Sequence, residues 1–285
     1  MKNTAPPSPA PTPERPTQPT QQTRPNEPGA THGRLYLVPA PLDFGCDSLA
    51  PLDDVLPRGT LKIAARLQHW VCENAKSTRA YLKRINELEP LSHGLQALHI
   101  QELPRAVHKK GDHQPGDFDA SGLLGAALAR NGGHDIGLVS EAGMPAVADP
   151  GSSVVRAAHE MGLAVVPLIG PVSLLLALAA SGLNGQNFAF VGYLPQDAEA
   201  RVERIRQLES LALKTGQAQI FIETPYRNAA LLQSLVQTLQ HNTRLAVSSG
   251  LTLARAATCS QNVKAWRQRP AAIDNATPAV FAIGR

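Results

Sequence analysis

Residues 136–195 alternate short apolar runs with turn-forming segments, and this order sets the fold class. The apolar run at 136–139 ends in a small, acidic, turn-rich segment that contains Gly143 and Pro150. A helical pattern, a second apolar run at 163–169 and a Gly-Pro break follow before another apolar helix. This repeated strand–loop–helix order is typical of parallel strands in an α/β sheet, whose ligands bind at the carboxyl ends of the strands. The segment therefore predicts an α/β protein with a small-molecule site at these loops.

The stretch 163–183 also carries no charged residue and is long enough to span a bilayer. However, Pro167 and Pro171 lie where a spanning helix would have to continue unbroken, and no basic flank marks a cytoplasmic end. A parallel strand buried on both faces, followed by a packed helix, gives the same apolar pattern. We therefore expect no membrane span.

The composition is typical of a globular protein of about two domains. The 285 residues are 43% hydrophobic, enough for a sizeable core, and carry a net charge of +4. This charge permits a nucleic-acid partner without requiring one, and an aromatic content of 4% argues against a platform on which bases stack. The three cysteines are far apart without zinc spacing, and no apolar segment follows the first two residues. These features predict a cytoplasmic protein with reduced thiols and no metal.

The order of elements predicts two α/β halves that enclose a cleft. Residues 1–32 are rich in Pro, Thr and Gln and predict a disordered tail, because they cannot bury enough apolar surface to fold. An N-terminal α/β domain is predicted at 33–147, a connecting strand–helix segment that lines the cleft at 148–189, and a C-terminal α/β domain at 190–285. Strands are predicted at 34–39, 96–102, 218–223, 244–248 and 279–283, helices at 121–130, 198–213 and from 224 to about 241, a polar loop at 108–120, mixed or helical structure at 61–71 and 78–85, and a strand or bend at 259–266.

Five segments of the sequence resemble motifs of one family. They are LYLVPAP at 35–41, LVSEAGMPAVADPG at 138–151, VVPLIGPVSLLLALAASGL at 165–183, FVGYLP at 190–195 and IETPYR at 222–227. The chain resembles the tetrapyrrole methylase superfamily and, within it, the branch of the small-subunit ribosomal RNA (cytidine-2′-O) methyltransferases. The segment 138–151 is the most specific, because it is similar to that branch's S-D-A-G-T-P-x-x-S-D-P-G signature. The resemblance covers residues 34–285.

This resemblance implies a homodimer that binds S-adenosylmethionine between two α/β domains. Small residues at the matching positions let backbone groups approach a ligand closely. For each glycine and proline among them, an ordinary turn is the alternative interpretation. The candidates for cofactor contact are Pro41, Ser140, Glu141, Ala142, Gly143, Met144, Gly170, Pro171, Ser173, Leu194 and Ala279.

Two pairs of polar residues are candidates for the acceptor side of the site. A hydroxyl acceptor must lose its proton to a side chain or water within reach. Glu223 with Arg227, and Lys76 with Arg79, are nominated as catalytic groups that face the acceptor. The alternatives are a structural ion pair for the first pair and, for the second, a solvated helix face or contacts to phosphate.

Three segments depart from the branch's pattern, and all three concern the acceptor. PLDFGCD at 41–47 replaces P-x-G-N, VCENAKSTR at 71–79 replaces a segment with E-D-T-R, and 248–263 lacks the acidic residues of A-R-E-L-T-K. The sequence therefore predicts an S-adenosylmethionine-dependent methyltransferase that acts on RNA, with a ribose hydroxyl of ribosomal RNA as the acceptor. A methyltransferase of a small molecule such as a tetrapyrrole and a non-catalytic binding module are the alternatives.

Overall fold

The computed structural model describes residues 32–104, 106–107, 112–114, 116, 118–128, 132–269 and 272–285. The tail predicted at 1–32 lies outside the described residues except for its last position, and so does part of the loop predicted at 108–120. The described residues form two five-stranded sheets with helices packed on them. This arrangement confirms the predicted α/β fold with two sheet-containing halves.

The first sheet is entirely parallel, and its strands follow the order β3-β2-β4-β1-β5. The middle strand is buried at every position, which explains why its sequence is continuously apolar. The strands are β1 (Arg34–Leu37), β2 (His69–Cys72), β3 (His99–Glu102), β4 (Ile136–Val139) and β5 (Ala164–Pro167). The helices of this half are α1 (Leu52–Val55), α2 (Arg58–Arg66), α3 (Ala75–Leu88) and α4 (Ser152–Glu160), with 3₁₀ helices at Leu95–Ala97 and Ser121–Leu128.

Most elements of this half lie where the sequence predicts them, but β2 was not predicted as a separate strand. The region 61–71, predicted as mixed or helical, is mixed, because it contains the end of α2 and the start of β2. Four residues give too little alternation for the period of a strand to be recognised. The helix predicted at 121–130 is a 3₁₀ helix as far as Leu128, and the positions that follow lie outside the described residues.

The second sheet is mainly antiparallel and has the order β6-β7-β10-β8-β9. Only its first two strands run parallel. The strands are β6 (Phe188–Tyr193), β7 (Ala218–Ile222), β8 (Arg244–Ser249), β9 (Ala257–Asn262) and β10 (Ala279–Gly284). The helices are α5 (Ser173–Ser181), α6 (Ala198–Thr215), α7 (Asn228–Thr238) and α8 (Val263–Gln268), with a 3₁₀ helix at Pro225–Arg227.

The charge-free stretch 163–183 joins the two halves. Its first part is β5 at the edge of the first sheet, and its second part is α5, which packs Leu174 and Leu178 against the second sheet. The helix ends at Gly182, which has the left-handed φ of +70° that suits glycine. Among the described residues, no helix is long and apolar enough to cross a membrane. The domain boundaries drawn from the sequence stay a prediction.

Candidate functional site

A cavity of about 430 Å³ lies where loops of the two halves meet. The first half contributes the loops that follow β1 and β4, together with the start of α5. The second half contributes the ends of β6, β7 and β8 and the start of β10, which pairs antiparallel with β7 and β8. Parallel strands bring their carboxyl ends to one sheet edge, and such edges are the usual ligand sites of α/β folds. The cavity thus lies at the loops that the sequence predicts as a binding site.

The loop after β4 has an unusual backbone. Gly143, Ala146, Ala148 and Gly151 all have positive φ, at 71°, 62°, 66° and 132°. Each alanine in this region is disfavoured by about 1–2 kcal/mol, because its Cβ approaches the following carbonyl oxygen. Backbone strain of this kind is concentrated at functional sites.

A buried carboxylate anchors the far end of this loop. Oδ2 of Asp112 accepts hydrogen bonds from the backbone N–H of Gly151 (3.0 Å) and of Ser153 (2.8 Å), and from the Ser153 hydroxyl (2.6 Å). Burial by itself raises the pKa of Asp112, but the hydrogen bonds from Ser153 and Gly151 bring the pKa below its ordinary value. Asp112 therefore holds the start of α4 as an ionised carboxylate.

Two glycines bring the loops of the first half close together. Gly143 and Ala40 exchange two backbone hydrogen bonds of 3.0 and 2.9 Å, so the loop after β4 is paired with the loop after β1. A Cβ on Gly170 would lie 2.3 Å from Cγ of Pro39, so no larger residue fits there without displacement of the backbone. These close backbone contacts fix the position of the first wall of the cavity.

The opposite wall carries an ion pair at the end of β7. Nη2 of Arg227 donates to Oε1 of Glu223 at 2.6 Å, and the backbone N–H and hydroxyl of Thr224 donate to the same oxygen at 2.8 and 3.1 Å. The carboxylate side chain is 3% exposed and the guanidinium 22%. Glu223 lines the cavity, whereas Arg227 is not among its lining residues. The structural ion pair considered as an alternative for these residues is therefore present.

A second carboxylate, Asp149, faces the same cavity from the first wall. Burial, followed by the charges of Glu73 and Glu141, raises its pKa from the ordinary value to about 7. Tyr193 lines the cavity as well, and its pKa is raised by burial and then by the charges of Asp149 and Glu223. The two carboxylates therefore differ in their surroundings, since only Glu223 has a cationic partner among the described residues.

The cofactor candidates from the sequence divide into three groups. Ala142, Gly143, Met144, Ser173 and Ala279 line the 430 Å³ cavity. Pro41, Ser140 and Glu141 line a second cavity of about 200 Å³, which shares Phe44 and Gly45 with the first. Gly170, Pro171 and Leu194 line neither cavity, and Leu194 belongs to the core of the second half.

The predicted acceptor residues are not gathered at one point. Lys76 and Arg79 are exposed on α3 and line neither cavity, although their neighbours Ser77 and Thr78 line the smaller one. The hydroxyl of Ser77 donates to Glu141 at 3.2 Å, which ties the start of α3 to the loop after β4. The exposed cations thus stand near the smaller cavity on the outer surface, in agreement with the alternative of a solvated helix face.

Among the residues of the larger cavity that sequence reasoning did not nominate, Asp149, Tyr193 and Phe44 are instructive. Asp149 was interpreted only as part of a turn, although its position inside the motif at 138–151 was a usable signal. Tyr193 follows from the motif at 190–195 in the same way. Phe44 lies in a segment that departs from the family, so no motif pointed to it.

Comparison with known proteins finds similar ribosomal RNA methyltransferases. No family model matches the chain. It is 33% identical over 218 residues to the ribosomal RNA small subunit methyltransferase I of Mesorhizobium japonicum, an alignment that covers 76% of this chain and 63% of the relative. It is 29% identical to the protein of that name from Vibrio cholerae, over 76% of this chain and 65% of the relative. These relatives bear out the resemblance to the tetrapyrrole methylase family.

This similarity confirms the resemblance predicted from the sequence motifs. The aligned part spans slightly less than two thirds of the length of these relatives. A solved structure of the methyltransferase CobJ shares the fold, with a TM-score of 0.52 and 17% identity over 89% of this chain and 94% of that one. Within the described part of the chain, no group of three or more His, Cys, Asp or Glu side chains is arranged to hold a metal ion.

Proposed function

We propose that the chain binds S-adenosylmethionine in the 430 Å³ cavity and transfers its methyl group to a ribose hydroxyl of ribosomal RNA. The observation that carries this proposal is the position of the motif at 138–151, which forms one wall of the cavity between the halves. The relatives that align with 218 residues of the chain are named as ribosomal RNA small subunit methyltransferases. When bound, the cofactor supplies a methyl group on a positively charged sulfur.

The residues present fit such a ligand. The volume of about 430 Å³ is within the usual range of about 300–1,000 Å³ for small-molecule sites. Ile222, Val280 and Pro278 provide apolar walls for a purine ring, and the carboxylate of Glu223 offers a partner for a cation. In the adjoining cavity, the Ser140 hydroxyl oxygen is buried and has no hydrogen-bond partner among the described residues. A buried hydroxyl in this state favours a polar ligand group beside it.

The RNA is proposed to approach from the side of α3. Lys76 and Arg79 stand three positions apart on its exposed face, the spacing at which helix neighbours share one side. Exposed cations of this kind suit phosphate contacts, which position a nucleic acid without reading its sequence. A cytoplasmic location is part of this proposal, and the free thiols of all three cysteines support it.

A homodimer is the proposed assembly. Ile169, Leu175, Leu176 and Phe188 are large apolar side chains that are 74%, 50%, 40% and 41% exposed. They belong to the segment that contains β5 and β6, the edge strands of the two sheets. Exposed apolar residues gathered in one segment are typical of an interaction surface. Light scattering on the purified chain tests this assembly, and a monomeric mass at micromolar concentration contradicts it.

Isothermal titration with S-adenosylmethionine tests the cofactor proposal. Gly143→Leu is expected to lower the affinity at least tenfold, because the loop at the cavity wall must move. Gly162→Leu is the matched control, since Gly162 has the same φ of +71° but no atom within 4 Å of its Cβ position. Equal affinity in both variants would refute the placement of the ligand at this loop.

Transfer of a labelled methyl group then identifies the acceptor. Small ribosomal subunits from cells that lack this protein, a tetrapyrrole and buffer alone are the three arms of the assay. Label in the RNA, at a ribose 2′-oxygen after nuclease digestion, supports the proposal. Label in the tetrapyrrole would mean that the acceptor is a tetrapyrrole and not RNA. Binding of the cofactor without transfer of label to either acceptor would indicate a non-catalytic binding module.

A further inference from the structure

Two carboxylates of the described residues line the cavity, and of these only Asp149 is placed to accept a proton. It lies within the strained loop after β4, directly after Ala148, and lines the cavity wall opposite Glu223. The titratable groups that act on it are Glu73 after β2, Glu141 after β4 and Tyr193 at the end of β6. None of them is a cation, and no described lysine or arginine forms an ion pair with Asp149.

Glu223 is unsuited to the same task. One of its oxygens accepts three hydrogen bonds, including the one from Arg227 at 2.6 Å, and a guanidinium stays charged at all ordinary pH values. Both side chains of this ion pair are largely buried, so the loss of either partner would leave an uncompensated charge. Glu223 is therefore committed to the ion pair on the second wall.

We propose that Asp149 accepts the proton of the acceptor hydroxyl during methyl transfer, an inference that rests on the function proposed above. The hydroxyl oxygen forms a bond to the methyl carbon while the carbon–sulfur bond breaks, and the sulfur keeps that electron pair as a neutral thioether. The hydroxyl proton passes to a carboxylate oxygen of Asp149, which later releases it to water. Atoms and charge balance, because one cationic sulfur and one carboxylate become a thioether and a carboxylic acid.

The electrostatics of the site support this role. A carboxyl group with a pKa of about 7 is ionised to a substantial fraction near neutral pH. It is also a stronger base than an ordinary aspartate, whose pKa is about 3.9. General bases are most effective when their pKa lies near the working pH.

The test compares the wild type with Asp149→Asn, which keeps the shape of the side chain and removes the base. Asp53→Asn, at an exposed aspartate of α1, is the control for the same chemical change. We expect Asp149→Asn to lower the rate of methyl transfer about 100-fold or more and to abolish its rise with pH through about 7. Asp149→Glu restores a carboxylate and should recover part of the rate.

A second readout does not depend on activity. The pKa of Asp149 is raised in the folded state, so its contribution to stability is fully present below pH 4 and is lost as the pH rises through about 7. The urea midpoint of the wild type should therefore fall relative to that of Asp149→Asn between pH 4 and 7. Asp53→Asn should follow the wild type over this range.

The outcomes separate the two proposals. A wild type that binds the cofactor and methylates RNA, beside an Asp149→Asn variant within threefold of its rate, overturns the role of Asp149 and leaves the function intact. A variant that loses cofactor affinity in proportion to its rate overturns the role as well, because Asp149 would then be a ligand contact. A wild type that neither binds the cofactor nor transfers methyl overturns the proposed function, and the role of Asp149 with it.

Discussion

The two walls of the cavity are built in different ways. The first wall depends on close backbone approach, with Gly170 against Pro39 and Gly143 paired with Ala40. The second wall depends on side-chain hydrogen bonds, of which the ion pair of Glu223 with Arg227 is the strongest example. A backbone-built wall should be sensitive to added volume, whereas a wall built by charges should be sensitive to the loss of a partner.

The same difference separates the two carboxylates. Glu223 is held in an ion pair by Arg227, while burial and then the charges of Glu73 and Glu141 oppose the ionisation of Asp149. The same cavity thus contains one carboxylate with a cationic partner and one without. The environment of each carboxylate, rather than its residue type, separates the two roles.

The largest effect is expected for Gly170→Ala on the first wall. The new Cβ would lie 2.3 and 2.5 Å from two ring carbons of Pro39 and 3.0 Å from Leu56. Because a proline ring cannot rotate away, we expect a loss of about 3 kcal/mol in the free energy of unfolding. Urea unfolding of the purified variant measures this loss.

Gly59→Ala is the control for the same added methyl group. Gly59 lies in α2 and has no atom within 4 Å of its Cβ position, so alanine should stabilise the helix by about 0.5–1 kcal/mol. The difference in the free energy of unfolding between the two variants measures the cost of the close contact with Pro39. A Gly170→Ala variant as stable as Gly59→Ala would show that the first wall adapts to added volume.

A somewhat smaller loss is expected for Arg227→Met on the second wall. The substitution leaves the nearly buried carboxylate of Glu223 without its cation, and we expect a loss of about 2 kcal/mol, less than for a fully buried pair. The additional change Glu223→Gln should recover part of this loss, because it removes the uncompensated charge. The double-mutant cycle, measured by urea unfolding at pH 7.5, gives the coupling between the two side chains.

Arg58→Met is the control for the loss of an arginine. It removes the pair with Glu89, in which the arginine side chain is 78% exposed and the distance is 3.5 Å. Exposed pairs contribute about 0–1 kcal/mol, so its cost should be small. Similar losses in both variants would mean that burial adds nothing to the pair at the second wall.

The sequence allowed the ion pair of the second wall to be predicted, but it did not allow the raised pKa of Asp149 in the first wall to be predicted. Glu223 and Arg227 stand four positions apart in a recognised motif, so their pairing was open to prediction as an alternative. The raised pKa of Asp149 arises from burial and then from the charges of Glu73 and Glu141, which lie in the loops that follow β2 and β4. No local sequence pattern shows that these three carboxylates lie close together, because their proximity depends on the order of the strands in the sheet.

The fold itself was largely predictable, with informative exceptions. The apolar runs of β1 and β4 and the turn residues after them indicated parallel strands, and the structure has them. The boundary between β5 and α5 could be placed because Gly170 and Pro171 interrupt the charge-free stretch. The backbone of the loop after β4 was not predictable, because alanine disfavours the left-handed conformation that two of its residues adopt.

That loop gives the smallest predicted effect, in the opposite direction from the other two. Ala148 has a φ of +66°, and glycine at this position relieves about 1–2 kcal/mol of strain at an entropic cost of about 0.4–1 kcal/mol. We therefore expect Ala148→Gly to raise the free energy of unfolding by about 0.5–1 kcal/mol. Ala80→Gly, in the middle of α3, should lower it by about 1 kcal/mol. If both variants lose stability equally in urea unfolding, the first wall stores no strain at Ala148, and its shape is then determined by the glycine contacts alone.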